Sequence, residues 1–361
     1  MKAAVMRERN APLVIEEVQI DDPGPHEVLV RTVASGVCHS DLHVIEGGLP
    51  VPPPTILGHE PAGIVEAVGS EVTDLAPGDH VIGCISAWCG KCEWCLQGRP
   101  YLCLQMDLGR PADGPPRLSQ DGTPIPQFAN LSSFAEMMLT PDRSLVKIRD
   151  DMPLDRAALI GCGVTTGLGA ALNTARIRAG STCVVIGCGG VGLAALQGCR
   201  IAGAGRIIAV DNQKWKLELA QKLGATDVVD ASDGDPVMQV LTMTGGGAHY
   251  SFECIGLEPT VQQAVNMLRK GGTALLVGVV PIGKMVPLHA ADITLQEKTV
   301  MGSMMGSNRF RLDMPRYVDF YLDGRLKLDE MISARLPLAE VNQAFDSMRA
   351  GEAARSVLVF E

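Results

Sequence analysis

Thr182-Cys183-Val184-Val185-Ile186-Gly187-Cys188-Gly189-Gly190-Val191-Gly192 is the stretch on which the reading of this chain turns. A short apolar, β-branched run is expected to form a buried strand, and it feeds directly into G-x-G-x-x-G. A helix rich in small residues is expected from about 190 to 202. The next apolar run, Arg206-Ile207-Ile208-Ala209-Val210, ends at Asp211. That places an acidic residue about 20 positions beyond the last glycine, the spacing at which a carboxylate reads a ribose. Gly187, Gly189, Gly190, Val191 and Gly192 are therefore expected to bring backbone N–H groups against a pyrophosphate at a helix start. Asp211 is expected to accept hydrogen bonds from both adenosine ribose hydroxyls and to repel a 2′-phosphate, favouring NAD over NADP. A glycine-rich turn that binds no nucleotide is the alternative, and the strand, helix and acidic residue around the motif weigh against it.

Outward from this motif, strands and helices alternate. An amphipathic segment covers 214–223, and further strands are expected at 227–229, 250–254 and 273–277. Apolar strands alternating with helices imply a doubly wound parallel sheet, covered on both faces. Before residue 163 the character differs. Short β-branched runs at 27–33, 63–68 and 79–83 are separated by turn punctuation such as Asp22-Pro23-Gly24-Pro25 and Ala76-Pro77-Gly78-Asp79. This half reads as an all-β body, with a long irregular segment over 104–130. The last part, 313–361, reads as helical and then strand-like at Ser356-Val357-Leu358-Val359-Phe360, returning to the first body.

Bulk properties narrow the function. At 361 residues, two domains are the prior, and 46% hydrophobic with 20% charged residues suits a soluble globule. A net charge of −10 without a basic run argues against nucleic acid. No apolar stretch long enough for a membrane span is expected, nor a signal-peptide core at the N-terminus, so the cytoplasm is the expected location. In that compartment the 11 cysteines should be reduced, and a tight cluster of them reads as metal ligation.

Such a cluster is present: Cys89, Cys92, Cys95 and Cys103 form C-x2-C-x2-C-x7-C. Four thiolates close a tetrahedron with no open position, which predicts a structural zinc. An iron–sulfur cluster is the rival, set aside because Leu104 rather than proline follows and the spacing differs from the ferredoxin run. Three further fragments carry zinc-type ligands beside glycine: Gly36-Val37-Cys38-His39-Ser40-Asp41-Leu42-His43, Gly58-His59-Glu60 and Gly161-Cys162-Gly163. Singly, each is compatible with an inert core cysteine or a hydrogen-bonded core histidine.

Taken together in this order, these motifs resemble the medium-chain dehydrogenase/reductase superfamily, and within it the zinc-dependent alcohol dehydrogenases of the liver type. The resemblance runs nearly end to end, through Gly161-Cys162-Gly163-Val164-Thr165-Thr166-Gly167 to Ala354-Arg355-Ser356-Val357. It implies a GroES-like catalytic domain over 1–162 and 305–361, carrying the zinc lobe 89–103, with a Rossmann NAD-binding domain inserted at 163–304. It further implies two zinc ions per chain. The catalytic one would be held by Cys38, His59 and Cys162, with Glu60 a neighbour able to coordinate transiently and Asp41 orienting His59. Ser40 would accept the alcohol's proton and pass it by way of the nicotinamide ribose to His43, unless His43 is only a surface helix residue. Lys216 would join Asp211 at the adenosine ribose, His39 and Arg355 would meet the pyrophosphate, and Thr166, Val279 and Met305 would lie near the nicotinamide.

The implied activity is reversible oxidation of primary aliphatic or aryl alcohols to aldehydes, with Ile85, Leu49 and Met304 as apolar candidates for the substrate channel. Glutathione-dependent formaldehyde dehydrogenases share the layout but typically carry an arginine where this chain has Asp107. They also have acidic residues where Leu49-Pro50-Val51-Pro52-Pro53-Pro54 runs here, so that substrate is disfavoured. A relative that keeps its nicotinamide bound and uses an external acceptor is a second alternative. The long segment after Cys103 resembles that of dimeric enzymes, making a homodimer the expected assembly, with a tetramer as the other option.

Overall fold

The computed structural model describes residues 1–105, 108–110 and 114–360; Asp107 lies outside them. The chain divides into two compact units. One comprises Met1–Cys162, Arg309–Gly324 and Ile332–Glu361, the other Gly163–Asn308 and Arg325–Met331. The first boundary falls where the sequence changes character. The second lies beyond the expected 304/305. Met305 belongs to the second unit because Gly306 is pressed against Gly169, where a Cβ on Gly169 would come within 2.3 Å of the Gly306 carbonyl oxygen. Asn173 Nδ2 donates to that same carbonyl (3.3 Å), and the Thr174 hydroxyl hydrogen-bonds both Ser303 and Ser307. Residues 325–331 join it through Gln197, which exchanges hydrogen bonds with the Lys327 backbone in both directions.

The first unit is built on a seven-stranded sheet. Along its path lie Leu145–Lys147, His80–Gly83, Pro61–Val68, Glu27–Val37, Arg355–Val359 and Ile332–Pro337, with Met137–Pro141 also pairing Glu27–Val37. Valines dominate the core beneath it: Val28, Val30, Val65 and Val81 pack with Met138 and Leu145. β-Branched residues suit a pleated surface with one buried face. The C-terminal strand Arg355–Val359 runs antiparallel to Glu27–Val37, so the two chain ends share one sheet. The segment expected to be irregular over 104–130 contains a hairpin, Leu118–Gln120 with Thr123–Pro124, whose first strand pairs Gln19–Ile20. The C-terminal part is likewise richer than expected, with Ile332–Pro337 an additional strand parallel to Arg355–Val359.

The second unit holds a six-stranded, all-parallel sheet. Its spatial order is Asp227–Asp230, Arg206–Asp211, Thr182–Ile186, Ala248–Glu253, Leu268–Leu276 and Thr299–Gly302. Counted within the unit this is 3-2-1-4-5-6, the doubly wound order, with its switch point between Thr182–Ile186 and Ala248–Glu253. The expected helices appear as Gly190–Ile201 and Lys214–Leu223. One helical run among the described residues, Leu154–Ala175, is long and apolar enough by length and composition to cross a membrane. Of its apolar 18-residue window 83% is buried within the protein, as in a core helix.

Candidate metal and cofactor sites

Cys38 is the N-cap of helix His39–Ile45 and is held in extended conformation, with φ −120° and ψ 151°. Asp41, at the third helical position and fully buried, organises what surrounds it. Its Oδ2 accepts the Cys38 N–H (3.3 Å), and its Oδ1 accepts the Gly58 N–H (3.0 Å) and lies 3.1 Å from His59 Nδ1. One carboxylate therefore ties together two segments that are distant in sequence and fixes which imidazole nitrogen faces away from it. Gly58 has φ +90°, and a Cβ there would come within 2.6 Å of both Phe134 and Ser133, so only glycine lets the chain deliver His59. Cys162 comes from a third element, a π-helical turn at Ile160–Val164 within the Leu154–Ala175 run. Such turns recur at functional sites because they re-aim a side chain.

The ligand atoms of Cys38, His59, Glu60 and Cys162 all lie within 4.8 Å of one another, and all four residues are buried. A tetrahedral zinc with bonds near 2.3 Å to sulfur and 2.0 Å to nitrogen needs ligand separations of about 3.5–3.8 Å, so the set is the right size. His59 Nε2 is buried with no hydrogen-bond partner among the described residues. An orphaned imidazole nitrogen beside two thiols is the donor that a soft cation would satisfy. Without a metal these groups trade protons instead. The Cys38 thiol is held well below its ordinary range by a hydrogen bond from Cys162, which outweighs burial, and by the His59 and Arg355 charges. Cys162 is correspondingly pushed up by Cys38 and by burial. Burial lowers the His59 pKa, but Asp41 and Cys38 more than offset it and raise it to about 10. A cation entering here displaces a proton, which couples metal affinity to pH.

Glu60 is fully buried. Its Oε2 pairs with the Arg355 guanidinium, while Oε1 has no partner among the described residues. Gly36 makes room for that pair, since a Cβ there would lie 2.0 Å from Glu60 Oε2. Arg355, expected at a pyrophosphate, is thus engaged by Glu60 in the first unit. Ser40 is half-buried with its Oγ 3.8 Å from Cys38 Sγ, and His43 is exposed one turn further along the same helix. His39, also exposed, is on the first unit. Phe128 was not expected here. Its ring meets His59 edge-on, with centroids 5.5 Å apart, and its position in a Pro- and Gly-rich stretch gives no sequence signal for that contact. Of the channel candidates, Leu49 packs on the first unit's core and Ile85 is half-buried, whereas Met304 belongs to the second unit.

In the lobe, Cys89, Cys92, Cys95 and Cys103 likewise place their sulfurs within 4.8 Å of one another. Cys92 Sγ is 3.5 Å from that of Cys95 and 3.9 Å from that of Cys103, bracketing the S···S edge of about 3.8 Å for tetrahedral zinc. Backbone N–H groups aim at the sulfurs: Cys89 and Gln105 donate to Cys103 (both 3.3 Å), and Cys92 donates to Cys89 (3.4 Å). Backbone N–H groups, first that of Leu104, hold Cys92 at about 6, while burial pushes Cys95 up to about 12.

In the second unit, Gly187 (φ +90°) turns the chain at the strand end, and a Cβ on Gly192 would lie 1.7 Å from the Gly187 carbonyl oxygen. Gly189 by contrast faces open space, with nothing within 4 Å of a Cβ, which leaves an approach for a pyrophosphate over the loop and the start of helix Gly190–Ile201. Val191 is half-buried at that helix start. Asp211 Oδ2 accepts the Cys188 N–H (2.7 Å) and Oδ1 the Gln213 N–H (2.9 Å), pinning the carboxylate beside the glycine loop with lone pairs to spare. Lys216, half-buried, lies over the Trp215 ring at 5.6 Å. Thr166 and Met305 are brought together, the hydroxyl 3.4 Å from the thioether sulfur, and Val279 is 68% exposed.

Residues 24–150 match the alcohol dehydrogenase GroES-like domain, and residues 190–323 match the zinc-binding dehydrogenase family. The chain is 42% identical to a class-3 alcohol dehydrogenase of Drosophila melanogaster, covering 99% of this chain and 97% of that one. A zinc-binding-domain alcohol dehydrogenase from Burkholderia ambifaria superposes with a TM-score of 0.96 at 37% identity, covering 100% and 98% of the two chains. Benzyl alcohol dehydrogenase from Acinetobacter calcoaceticus gives 0.95 at 34%, covering 100% and 99%. With its GroES-like and Rossmann-type domains, its two clusters of zinc-type ligands and this similarity along the whole chain, the protein belongs to the zinc-dependent alcohol dehydrogenases of the medium-chain dehydrogenase/reductase superfamily, oxidoreductases that act on CH–OH groups.

Proposed function

We propose that the protein holds two zinc ions and uses NAD to oxidise primary aliphatic or aryl alcohols to aldehydes, reversibly. The observation that carries this is the buried Cys38–His59–Cys162 set with His59 Nε2 lacking a partner. Those three residues would hold the catalytic zinc and leave a fourth position for substrate, whereas the lobe's four thiols would hold a structural one. When bound, the zinc supplies Lewis acidity that lowers the pKa of the substrate hydroxyl. Ser40, beside Cys38, takes the hydroxyl proton, and His43 on the same helix hands it to solvent. Asp41 keeps His59 oriented throughout. Gly187, Gly189, Gly190, Val191, Gly192, Asp211 and Lys216 bind the adenosine diphosphate half of NAD, with Thr166, Val279 and Met305 serving its nicotinamide end and His39 and Arg355 contributing charge. Asp211 supports NAD over NADP, because its carboxylate opposes a 2′-phosphate. The apolar ring of Phe128, which meets His59 edge-on, supports a hydrocarbon substrate. Cytoplasmic residence and a homodimer belong to the same proposal, supported by 11 free thiols and by the long segment after the lobe.

The test is metal analysis combined with NADH formation from a panel of primary alcohols, S-hydroxymethylglutathione included. Two zincs per chain with turnover of simple alcohols is the expected result. Turnover of the glutathione adduct alone would overturn the substrate class. Nicotinamide that survives gel filtration and needs an external acceptor would overturn the free exchange of NAD.

A further inference from the structure

Glu253 is fully buried in the second unit and closes the strand Ala248–Glu253 on the far side of the switch point from the glycine loop. It lies in register with Ile186 on one neighbouring strand and Leu276 on the other. Its Oε1 accepts three hydrogen bonds, from the N–H groups of Ile255 (2.9 Å) and Gly256 (2.8 Å) and from the Thr260 hydroxyl (2.8 Å). Its backbone carbonyl accepts two more, from Val277 and Gly278 (both 2.9 Å). One residue thus organises both loops that leave the sheet here, 254–257 and 277–280. Its remaining oxygen, Oε2, is buried without a partner among the described residues and lies where a Cβ on Gly278 would be only 2.7 Å away.

The two loops touch backbone to backbone. A Cβ on Gly256 would meet the Val279 carbonyl oxygen at 2.5 Å and its nitrogen at 2.9 Å, and one on Gly278 would meet the Gly256 nitrogen at 2.3 Å. Val279 itself leaves this packing with its side chain 68% exposed. Its place is set from below by Gly256, and Gly256 is set by the Glu253 carboxylate. In open α/β sheets ligands bind beyond the carboxyl ends of the strands at the switch point, which is where this assembly stands.

We propose that Glu253 is a positioning residue for the nicotinamide end of the cofactor site, acting through Gly256 on Val279 without touching the cofactor. This rests on the reading that the second unit binds NAD. A buried acceptor serving three donors cannot be removed without leaving those donors unpaired, so the loops would relax away from their present packing.

Titration of the full-length zinc-loaded protein with NADH and with ADP-ribose, which lacks the nicotinamide, separates this role from general support of the fold. Glu253→Ala is expected to weaken NADH binding about tenfold while moving ADP-ribose less than about twofold. Glu253→Gln, whose amide oxygen can accept the same three donors, is expected to restore NADH affinity to within about threefold of wild type. If the alanine variant does not fold, Thr260→Val removes the hydroxyl shared by Glu253 and the Leu257 carbonyl and should weaken NADH about threefold with ADP-ribose unchanged. Equal weakening of both ligands, or of neither, overturns the proposal. Wild-type protein that binds neither ligand overturns the NAD reading instead, and that result is distinct from equal weakening in a variant.

Discussion

Replacing Glu27 by glutamine should cost the first unit a defined, pH-dependent amount of stability. Glu27 is buried at the start of the central strand, where Arg117 Nε donates to its Oε1 (2.6 Å) and Arg110 Nη2 to its Oε2 (2.6 Å), with the Gly24 N–H on the same oxygen (2.8 Å). Burial alone would raise its pKa, but the hydrogen bonds from Arg110, Arg117 and Gly24 outweigh it and bring it from 4.5 to about 2. A carboxyl with a depressed folded-state pKa adds stability that is fully present above its unfolded pKa and is lost as pH falls through the folded one. Carried through linkage, that depression is worth on the order of 3 kcal/mol at pH 7 and roughly 1 kcal/mol at pH 3. Urea unfolding of wild type and Glu27→Gln at both pH values, followed through a first-unit signal, measures the gap. A gap that stays constant between pH 7 and pH 3, or that is below about 0.5 kcal/mol at pH 7, would refute the reasoning.

Asp41→Asn keeps the side chain's shape but removes the charge that orients His59, and zinc affinity measured by chelator competition should fall about 10- to 100-fold. Asp211→Gly should shift the ratio of kcat/KM for NAD over NADP toward NADP by at least about tenfold, since the opposing carboxylate is gone; an unchanged ratio would show that another group sets the preference. Gly192→Ala forces a methyl into the Gly187 carbonyl and should abolish NADH binding measured by fluorescence, with a melting temperature lower by several degrees. Cys92→Ser should reduce zinc to one per chain and shorten the half-life on heating, while leaving initial turnover near wild type in freshly prepared enzyme.

Much of this arrangement could be read from residue order because local spacing encodes it. The glycine loop, Asp211 and the Cys89–Cys103 lobe are set by short-range geometry, and helix Lys214–Leu223 falls where its apolar periodicity predicts. The strand Ile332–Pro337 carries no sequence signal because it is an edge strand whose residues are alternately half-buried and exposed, with no fully buried side to mark it. Convergence of Cys38, His59 and Cys162 could be expected only through resemblance, since they sit on a helix cap, an irregular segment between strands and a π-helical turn. The pairing of Arg355 with Glu60 joins residues 295 positions apart, and no local pattern carries such a contact. The shift of Met305–Ser307 into the second unit was hidden too. It depends on left-handed backbone at Met305 (φ 47°), Gly306 (φ 66°) and Ser307 (φ 48°), held by side chains more than 125 residues earlier in the chain.

On the proposed two-zinc reading, the Asp41 carboxylate would give the two metal sites different histories in the cell. Because Asp41 binds the backbone at Cys38 and Gly58 as well as the His59 ring, the catalytic ligands are arranged by the protein itself, and an ion enters a cage already standing. The lobe's sulfurs are ordered instead by backbone N–H groups of their own short loop, with Arg143 bonding the Cys89 carbonyl, so an ion there would be part of the fold. Gentle chelation followed by cobalt or cadmium should therefore exchange the catalytic ion as a replaceable reagent. Loss of the lobe ion would instead be a local unfolding event, with refolding coupled to the ion's return.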